Sequence, residues 1–253
     1  MNIYMISLAR DVERRKKMQE RFPKSYERFH IVDALDSRDK GSAETVKSHD
    51  TPCAHDDRKP LTLGEKCCAI SHMMVIDKFL QSGDDRSIII EDDLIGSDED
   101  IEEAVSITNS LKGNGLLVLG GQQGLKNAKH LSGNKLSENL WRIPSISSPF
   151  ITRACCYALT RSSAEAILKS QNSCLARSDF WCKYSKNIDI FYSDIFLHPI
   201  DLSGSSLETE RNAGSFMQRV AEDGFKNLTG RFLLKALVGM AVLFGVYSRV
   251  EIK

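Results

Sequence analysis

Three carboxylates, Glu91, Asp92 and Asp93, follow directly on the apolar run Ile88-Ile89-Ile90. Burying a strand and ending it in three acids is electrostatically costly unless a cation or a hydrogen-bond donor neutralises them. Hard divalent cations take oxygen ligands, and magnesium or manganese held by one or two carboxylates plus a substrate phosphate is a recurrent arrangement. The pattern therefore points to a metal and a phosphorylated ligand. The acids further on read differently: Ser97-Asp98-Glu99-Asp100 suits a helix start, where carboxylates cap free N–H groups and oppose the dipole. Arg10, Arg14 and Arg15 either meet phosphates or form a solvated basic face.

The elements that must position these groups alternate between strand and helix. Ile3 to Leu8 reads as a strand, and Asp11 as the cap of a basic helix running to about Phe22, where Pro23 stops it. Phe29 to Val32 is the next strand. Asp36 to Pro60, with eleven charged residues in twenty-five, reads as a long loop. Thr62-Leu63-Gly64-Glu65 fits a capping box and opens a helix to about Leu80, with Cys68, Ile70, Met73, Met74 and Ile76 as its apolar face. Gly83-Asp84-Asp85 turns the chain into the acid-tipped strand. A helix from Asp98 to Leu111, a strand from Leu116 to Leu119 and a glycine- and lysine-containing loop to about Asn139 follow. Ala154 to Leu159 reads as a strand, Ser162 as the cap of a helix to about Ser170, and Ile188 to Phe196 as extended chain.

This order predicts an α/β domain with a largely parallel sheet, whose ligands sit beyond the carboxyl ends of the strands. Ser7 to Arg10, Glu91 to Asp93 and Gly120-Gly121 fall at such ends and converge on one crevice in this reading.

Composition bounds the rest. A chain of 253 residues, 42% hydrophobic, can bury a substantial core in one domain with an appendage. Thirty-four basic residues balance thirty-four acidic ones, so no global basic field recommends a nucleic-acid partner. Seven cysteines include the adjacent pairs Cys67-Cys68 and Cys155-Cys156 and no paired zinc-type C-x-x-C, which predicts reduced thiols and a cytoplasmic setting. The opening residues read as a strand and not as a signal peptide. Ala236 to Tyr247 carries no charge and is flanked by Lys226, Arg231, Lys235, Arg249 and Lys253. It is short of the roughly twenty residues that span a bilayer. It reads either as an interfacial helix on an anionic membrane, through residues 226–253, or as a helix packed on the domain.

The run Leu63-Gly64-Glu65-Lys66-Cys67-Cys68-Ala69-Ile70-Ser71-His72, followed by Ile88 to Leu94, resembles the paired signature of glycosyltransferase family 25, the lipopolysaccharide-type galactosyltransferases. Ile6 to Arg15, Val32 to Asp36 and Ala154 to Ala164 resemble further segments of that family. The likeness covers roughly residues 1–211, leaving 212–253 as a helical C-terminal extension. It implies an A-type nucleotide-sugar transferase fold, Rossmann-like with a mostly parallel central sheet. The activity it implies is an inverting transfer of a hexose, often galactose from UDP-galactose, to a lipopolysaccharide or lipooligosaccharide acceptor, with a divalent metal, Mn2+ or Mg2+. Glu91, Asp92 and Asp93 match the family's acidic motif, with Asp93 and Glu91 on the metal. Ser7, Leu8, Arg10, Arg14, Asp33, Ser71, His72, Glu91 and Asp92 fall on the donor side.

In such a transfer the departing diphosphate gains negative charge, which a metal stabilises where it develops. The acceptor hydroxyl must lose a proton, which calls for a positioned carboxylate or histidine. Asp179 stands at a position resembling the family's downstream acid, or caps a short helix. Glu65 is a catalytic residue or simply a capping one. The other reading is a non-catalytic carbohydrate- or lipid-binding protein that retains the fold, supported by Lys66 and Cys67 where the family pattern has an apolar residue and glycine.

Overall fold

The computed structural model describes residues 1–49, 51, 61–111, 113–199 and 225–252. The expected boundary at residues 211–212 lies outside them. In chain order the main elements are β1 (Asn2–Ser7), α1 (Val12–Arg21), β2 (Phe29–Asp33), α2 (Ser42–His49), α3 (Leu63–Gln81), β3 (Arg86–Glu91), α4 (Asp98–Ser110), β4 (Gly115–Gly120), β5 (Ser132–Ser137), β6 (Leu140–Ile143), β7 (Cys156–Thr160), α5 (Arg161–Ser173), β8 (Asp189–Phe196), α6 (Phe225–Leu243) and β9 (Ser248–Arg249).

The strands form one sheet in the order β2-β1-β3-β7-β4-β8-β6-β5-β9. β1 is parallel to both β2 and β3, and β4 is parallel to β8. β7 runs antiparallel to both β3 and β4, so every strand from β2 to β8 points one way except β7. The β5–β6 hairpin and the short β9 extend the far edge in antiparallel fashion.

Alternation along the central strands fixes two apolar faces. Tyr4, Ile6, Ile89, Leu116, Val118, Tyr157 and Leu159 join Val75, Ile76 and Phe79 of α3, Ala164 and Ile167 of α5, and Val238 of α6 in one core. Ile3, Met5, Ile88, Ile90, Leu117, Leu119 and Ala158 point the other way and meet Met18 and Phe22 beside α1 and Ile101 and Ala104 of α4. Because strands covered on both sides need apolar residues at every position, Ile88-Ile89-Ile90 is a continuous run.

Helix ends follow the capping signals in part. Thr62 Oγ1 accepts from the Glu65 N–H at 3.2 Å and Glu65 Oε2 accepts from the Thr62 N–H at 3.0 Å, the expected capping box. Ser97 and Asp100 form a second one on α4. Asp11 stands at the N-cap of α1, but its side chain makes no cap bond and lies 3.6 Å from Arg10 Nε instead. The cap of α5 is Thr160, whose Oγ1 accepts from the Ser163 N–H, so the helix starts earlier than Ser162 and runs to Ser173.

Four expectations are corrected. The span Asp36 to Pro60 is not all loop, because Ser42–His49 is helical and buries Val46 against Cys67, Ile70 and Met73 of α3. The segment up to Asn139 contains β5, and its partner β6 follows, strands near the far side of the sheet whose exposed residues include the polar Asn134, Lys135 and Arg142. The α3 face differs as well. Met74 is exposed and Cys68 half-buried, whereas Cys67, Ala69, Val75 and Phe79 are buried, since this helix is covered by the sheet, α2 and α5 on different sides. Cys174 is disulfide-bonded, so the thiols are not all reduced, while Cys67, Cys68, Cys155, Cys156 and Cys182 are free. Cysteine spacing alone does not reveal such a bond.

α6 begins well before the uncharged stretch and packs Val238 into the core, while Phe232, Leu233, Leu243 and Phe244 face outward. Among the described residues no helix is long and apolar enough to cross a membrane.

Candidate functional site

The carboxyl ends of β1, β2 and β3, the start of α3 and the chain leaving β8 meet at one rim of the sheet, as the doubly wound layout requires. The reversed strand β7 brings its beginning to that rim, so Arg153, Ala154 and Cys155 complete the wall. Together they enclose a cleft of about 530 Å³. Of the residues singled out in the sequence, Ser7, Leu8, Arg10, Arg14, Glu65, Ser71, His72, Glu91, Asp92, Asp93 and Asp179 line it. Asp33 does not; it is exposed, one residue before the lining residues Ala34 to Ser37, and binds Arg15 Nη2 at 2.5 Å.

Glu91, Asp92 and Asp93 sit at the cleft's centre. Arg14 Nη1 donates to Asp92 Oδ1 at 2.9 Å and to Asp93 Oδ2 at 3.3 Å, spanning from α1 to the end of β3. The other oxygens, Asp92 Oδ2 and Asp93 Oδ1, are buried without a hydrogen-bond partner. Burial and the neighbouring Glu91 charge, only partly offset by His198 and Arg14, push the Asp93 carboxyl up to about 6. Burial likewise raises Asp92 against the pull of Arg14. These carboxylates lack positive charge, which is the condition a bound cation corrects.

His198, unanticipated from the sequence, supplies a third ligand type. Its Nδ1 binds the Pro199 carbonyl at 2.9 Å, which turns Nε2 toward Asp93 Oδ1 at 3.7 Å. The main-chain bridge between Ile95 and Leu197 holds this segment beside the acidic tip, with N–H to carbonyl distances of 3.0 and 2.9 Å. Ligand atoms of Glu91, Asp93 and His198 lie within 4.8 Å of one another. A hard or borderline divalent cation fits this carboxylate–imidazole set, and the orphaned Asp93 oxygen points to the same conclusion.

On the α3 side, His72 is buried with Nδ1 2.8 Å from the Tyr157 hydroxyl and Nε2 3.1 Å from Glu91 Oε1. Burial opposes its charge, but Tyr157, Cys68 and Glu91 outweigh burial and hold the imidazole well above its usual range. Glu91 is lowered despite burial, chiefly by the bond from His72. Ser71 braces the wall: its hydroxyl donates to the Cys67 carbonyl and accepts from the Leu35 N–H, both at 2.8 Å. Ser7 accepts from Arg15 Nε at 3.0 Å, and Arg10 pairs with Asp36.

Asp179 lines the cleft with Arg177 and Ser178. Its Oδ2 accepts from the Arg153 N–H at 3.3 Å, and Arg177 Nε is 3.8 Å from Oδ1. Arg153 is the described non-glycine residue with positive φ, at 58°. Its left-handed backbone is held by side-chain bonds to the carbonyls of Gly121 and Gln123, 2.6 and 3.1 Å, and by Trp181 Nε1 donating to its carbonyl at 3.1 Å. Arg153, Arg177, Lys17 and Arg21 also line the cleft, giving it a cationic rim for an anionic ligand. None of these four has a motif around it; only the fold assembles them.

A three-layer α/β domain with an acid-centred, cation-rimmed cleft suits a phosphorylated ligand, and the sequence supplies the family. Residues 1–181 match the model of glycosyltransferase family 25, described as a lipopolysaccharide biosynthesis protein, and the chain belongs to that family. The observed sheet, largely parallel through its centre, and the terminal helix match the α/β layout expected from the sequence. A search of curated proteins finds no match. Among solved structures, a mannose-1-phosphate geranyltransferase from Thermus thermophilus is similar at 11% identity and TM-score 0.42, covering 78% of this chain and 74% of that one. The galactosyltransferase LgtC, solved with donor and acceptor sugar analogues, is similar at 10% identity and TM-score 0.38, covering 76% and 73%.

Proposed function

We propose that the protein transfers a hexose, galactose in preference, from a UDP-sugar to a lipopolysaccharide or lipooligosaccharide acceptor, with inversion and with Mn2+ or Mg2+ bound. The observation that carries this reading is the buried, unpartnered Asp93 Oδ1 at the centre of a cleft with a cationic rim. Glu91, Asp93 and His198 would hold the metal. When bound, it supplies positive charge to the diphosphate oxygens as the sugar bond breaks.

The chain's own groups do the rest. Arg14 fixes Asp92 and Asp93, and Arg10, Ser7 and Leu8 form the donor-side wall with Ser71 and His72. Asp33 acts at one remove, by orienting Arg15 against Ser7. Inversion needs a single displacement, with a base opposite the leaving group. Asp179 takes that role, oriented by Arg177 and the Arg153 N–H. Glu65, the second candidate, lines the cleft with one carboxylate oxygen committed to the Thr62 cap. A lipid-borne acceptor is compatible with the outward apolar side of α6, which would rest on an anionic membrane surface.

The test is turnover of UDP-hexoses with an acceptor panel, with and without Mn2+. Asp93→Ala is expected to abolish transfer while leaving the thermal transition cooperative. Full activity in that variant would overturn the assignment.

A further inference from the structure

We propose that Cys68, His72 and Glu91 form a second cation site, selective for a soft divalent ion such as Zn2+, which shares Glu91 with the Glu91–Asp93–His198 set. Cys68 and His72 are four residues apart on α3 and therefore share a face, the spacing by which one helix presents two ligands to one metal. The Cys68 sulfur, a His72 ring nitrogen and a Glu91 oxygen lie within 4.8 Å of one another. Tetrahedral zinc, with bonds of about 2.0 to 2.3 Å, holds its ligand atoms about 3.5 Å apart. His72 Nε2 and Glu91 Oε1, at 3.1 Å, already stand near that spacing. Closing the trio asks only a modest movement of Cys68, a half-buried side chain on the cleft wall.

The support around the trio has the form of a metal site. His72 Nδ1 is engaged by the Tyr157 hydroxyl at 2.8 Å, which fixes the ring plane and presents Nε2 to the cation. The Tyr157 ring packs against Trp181 at a tilt of 59° with centroids 5.1 Å apart, so the orienting group is itself held by packing. The Cys68 sulfur is 3.5 Å from Ser178 Oγ, a weak contact that a metal bond replaces without leaving a buried strong donor unpaired. On binding, the Cys68 thiol and the His72 Nε2–H each release a proton to solvent, and the sulfur and the freed ring nitrogen bond to the metal. Three protein ligands leave the fourth position open to the cleft.

Ligand chemistry separates the two sites. A thiolate and an imidazole favour Zn2+ over Mg2+ or Mn2+, whereas two carboxylates and one imidazole suit the harder ions. Because Glu91 belongs to both sets, filling the soft site withdraws it from the hard one. Zn2+ therefore competes with Mn2+ without occupying the same position.

Cobalt titration of the full-length protein reads the site directly. The expected result is a near-ultraviolet cobalt–thiolate charge-transfer band that is lost in Cys68→Ser and Cys68→Ala and kept in Cys182→Ser and Asp93→Asn. Absence of the band in the wild type, or its persistence in both folded Cys68 variants, would overturn the proposal. Saturating Zn2+ should also weaken Mn2+ binding at least tenfold in the wild type but not in Cys68→Ser; independent binding would refute the sharing of Glu91. The cobalt readout involves neither sugar transfer nor Mn2+, so failure of the transferase reading leaves it unaffected.

Discussion

A single oxygen carries much of the functional argument. Asp93 Oδ1 is buried, faces an imidazole at 3.7 Å and accepts no hydrogen bond. A carboxylate in that position is destabilising unless positive charge arrives, and Arg14 is divided between two acids. The three acids were legible in the sequence because a buried strand rarely ends that way. His198 was not, because it is far along the chain and owes its place to the bridge between Ile95 and Leu197. Asp33 shows the opposite case: its strand position is right, but Arg15 draws the carboxylate out of the cleft. If His198 is a ligand, His198→Ala lowers Mn2+ affinity by about tenfold or more, while Asp93 remains to bind weakly. Calorimetric titration checks this, and an unchanged affinity would remove His198 from the set.

Among the elements, apolar periodicity located the central strands and the long helices because their burial pattern is regular. It missed α2, a short helix that buries Ser42 and Val46 but is otherwise mostly polar, and the β5–β6 hairpin, whose polar residues are ordered by the neighbouring β8. It also gave no sign that β7 is reversed, since residue alternation is the same in either strand direction. The link between β4 and β8 bears most directly on the site. Gly120 sits at a register shift with φ +122°, and a Cβ there would lie 2.1 Å from the Phe196 carbonyl oxygen. Backbone on both sides cannot yield as a flexible side chain would. Gly120→Ala should therefore destabilise by about 3 kcal/mol, combining strain and overpacking. It should also displace the following residues 197–199 and so weaken cation binding. Chemical denaturation paired with Mn2+ titration tests both effects; loss of neither would mean the strands slide apart freely here.

For the molecule as a whole, the terminal helix packs on the domain and also exposes an apolar side. Val238 is fully buried, yet Phe232 and Phe244 are each 77% exposed. Lys129, Lys235 and Arg249 gather near His130, whose charged form is disfavoured first by desolvation and then by these three cations. An apolar face bordered by such a cluster complements an anionic bilayer, each basic residue adding about 1 kcal/mol at the surface. The charge pattern of residues 226–253 was visible in the sequence, but Lys129 joins it only through the packing of α6 beside the segment Ala128–His130. Full-length protein should float with vesicles rich in phosphatidylglycerol and much less with neutral ones. Phe232→Glu combined with Phe244→Glu removes two side chains, each contributing about 2 kcal/mol when buried, so binding should fall by tenfold or more. Raising the salt to screen the basic cluster should weaken the wild type further. Flotation that is indifferent to lipid charge, to salt and to the double substitution would exclude the membrane from this face and leave α6 as packing alone.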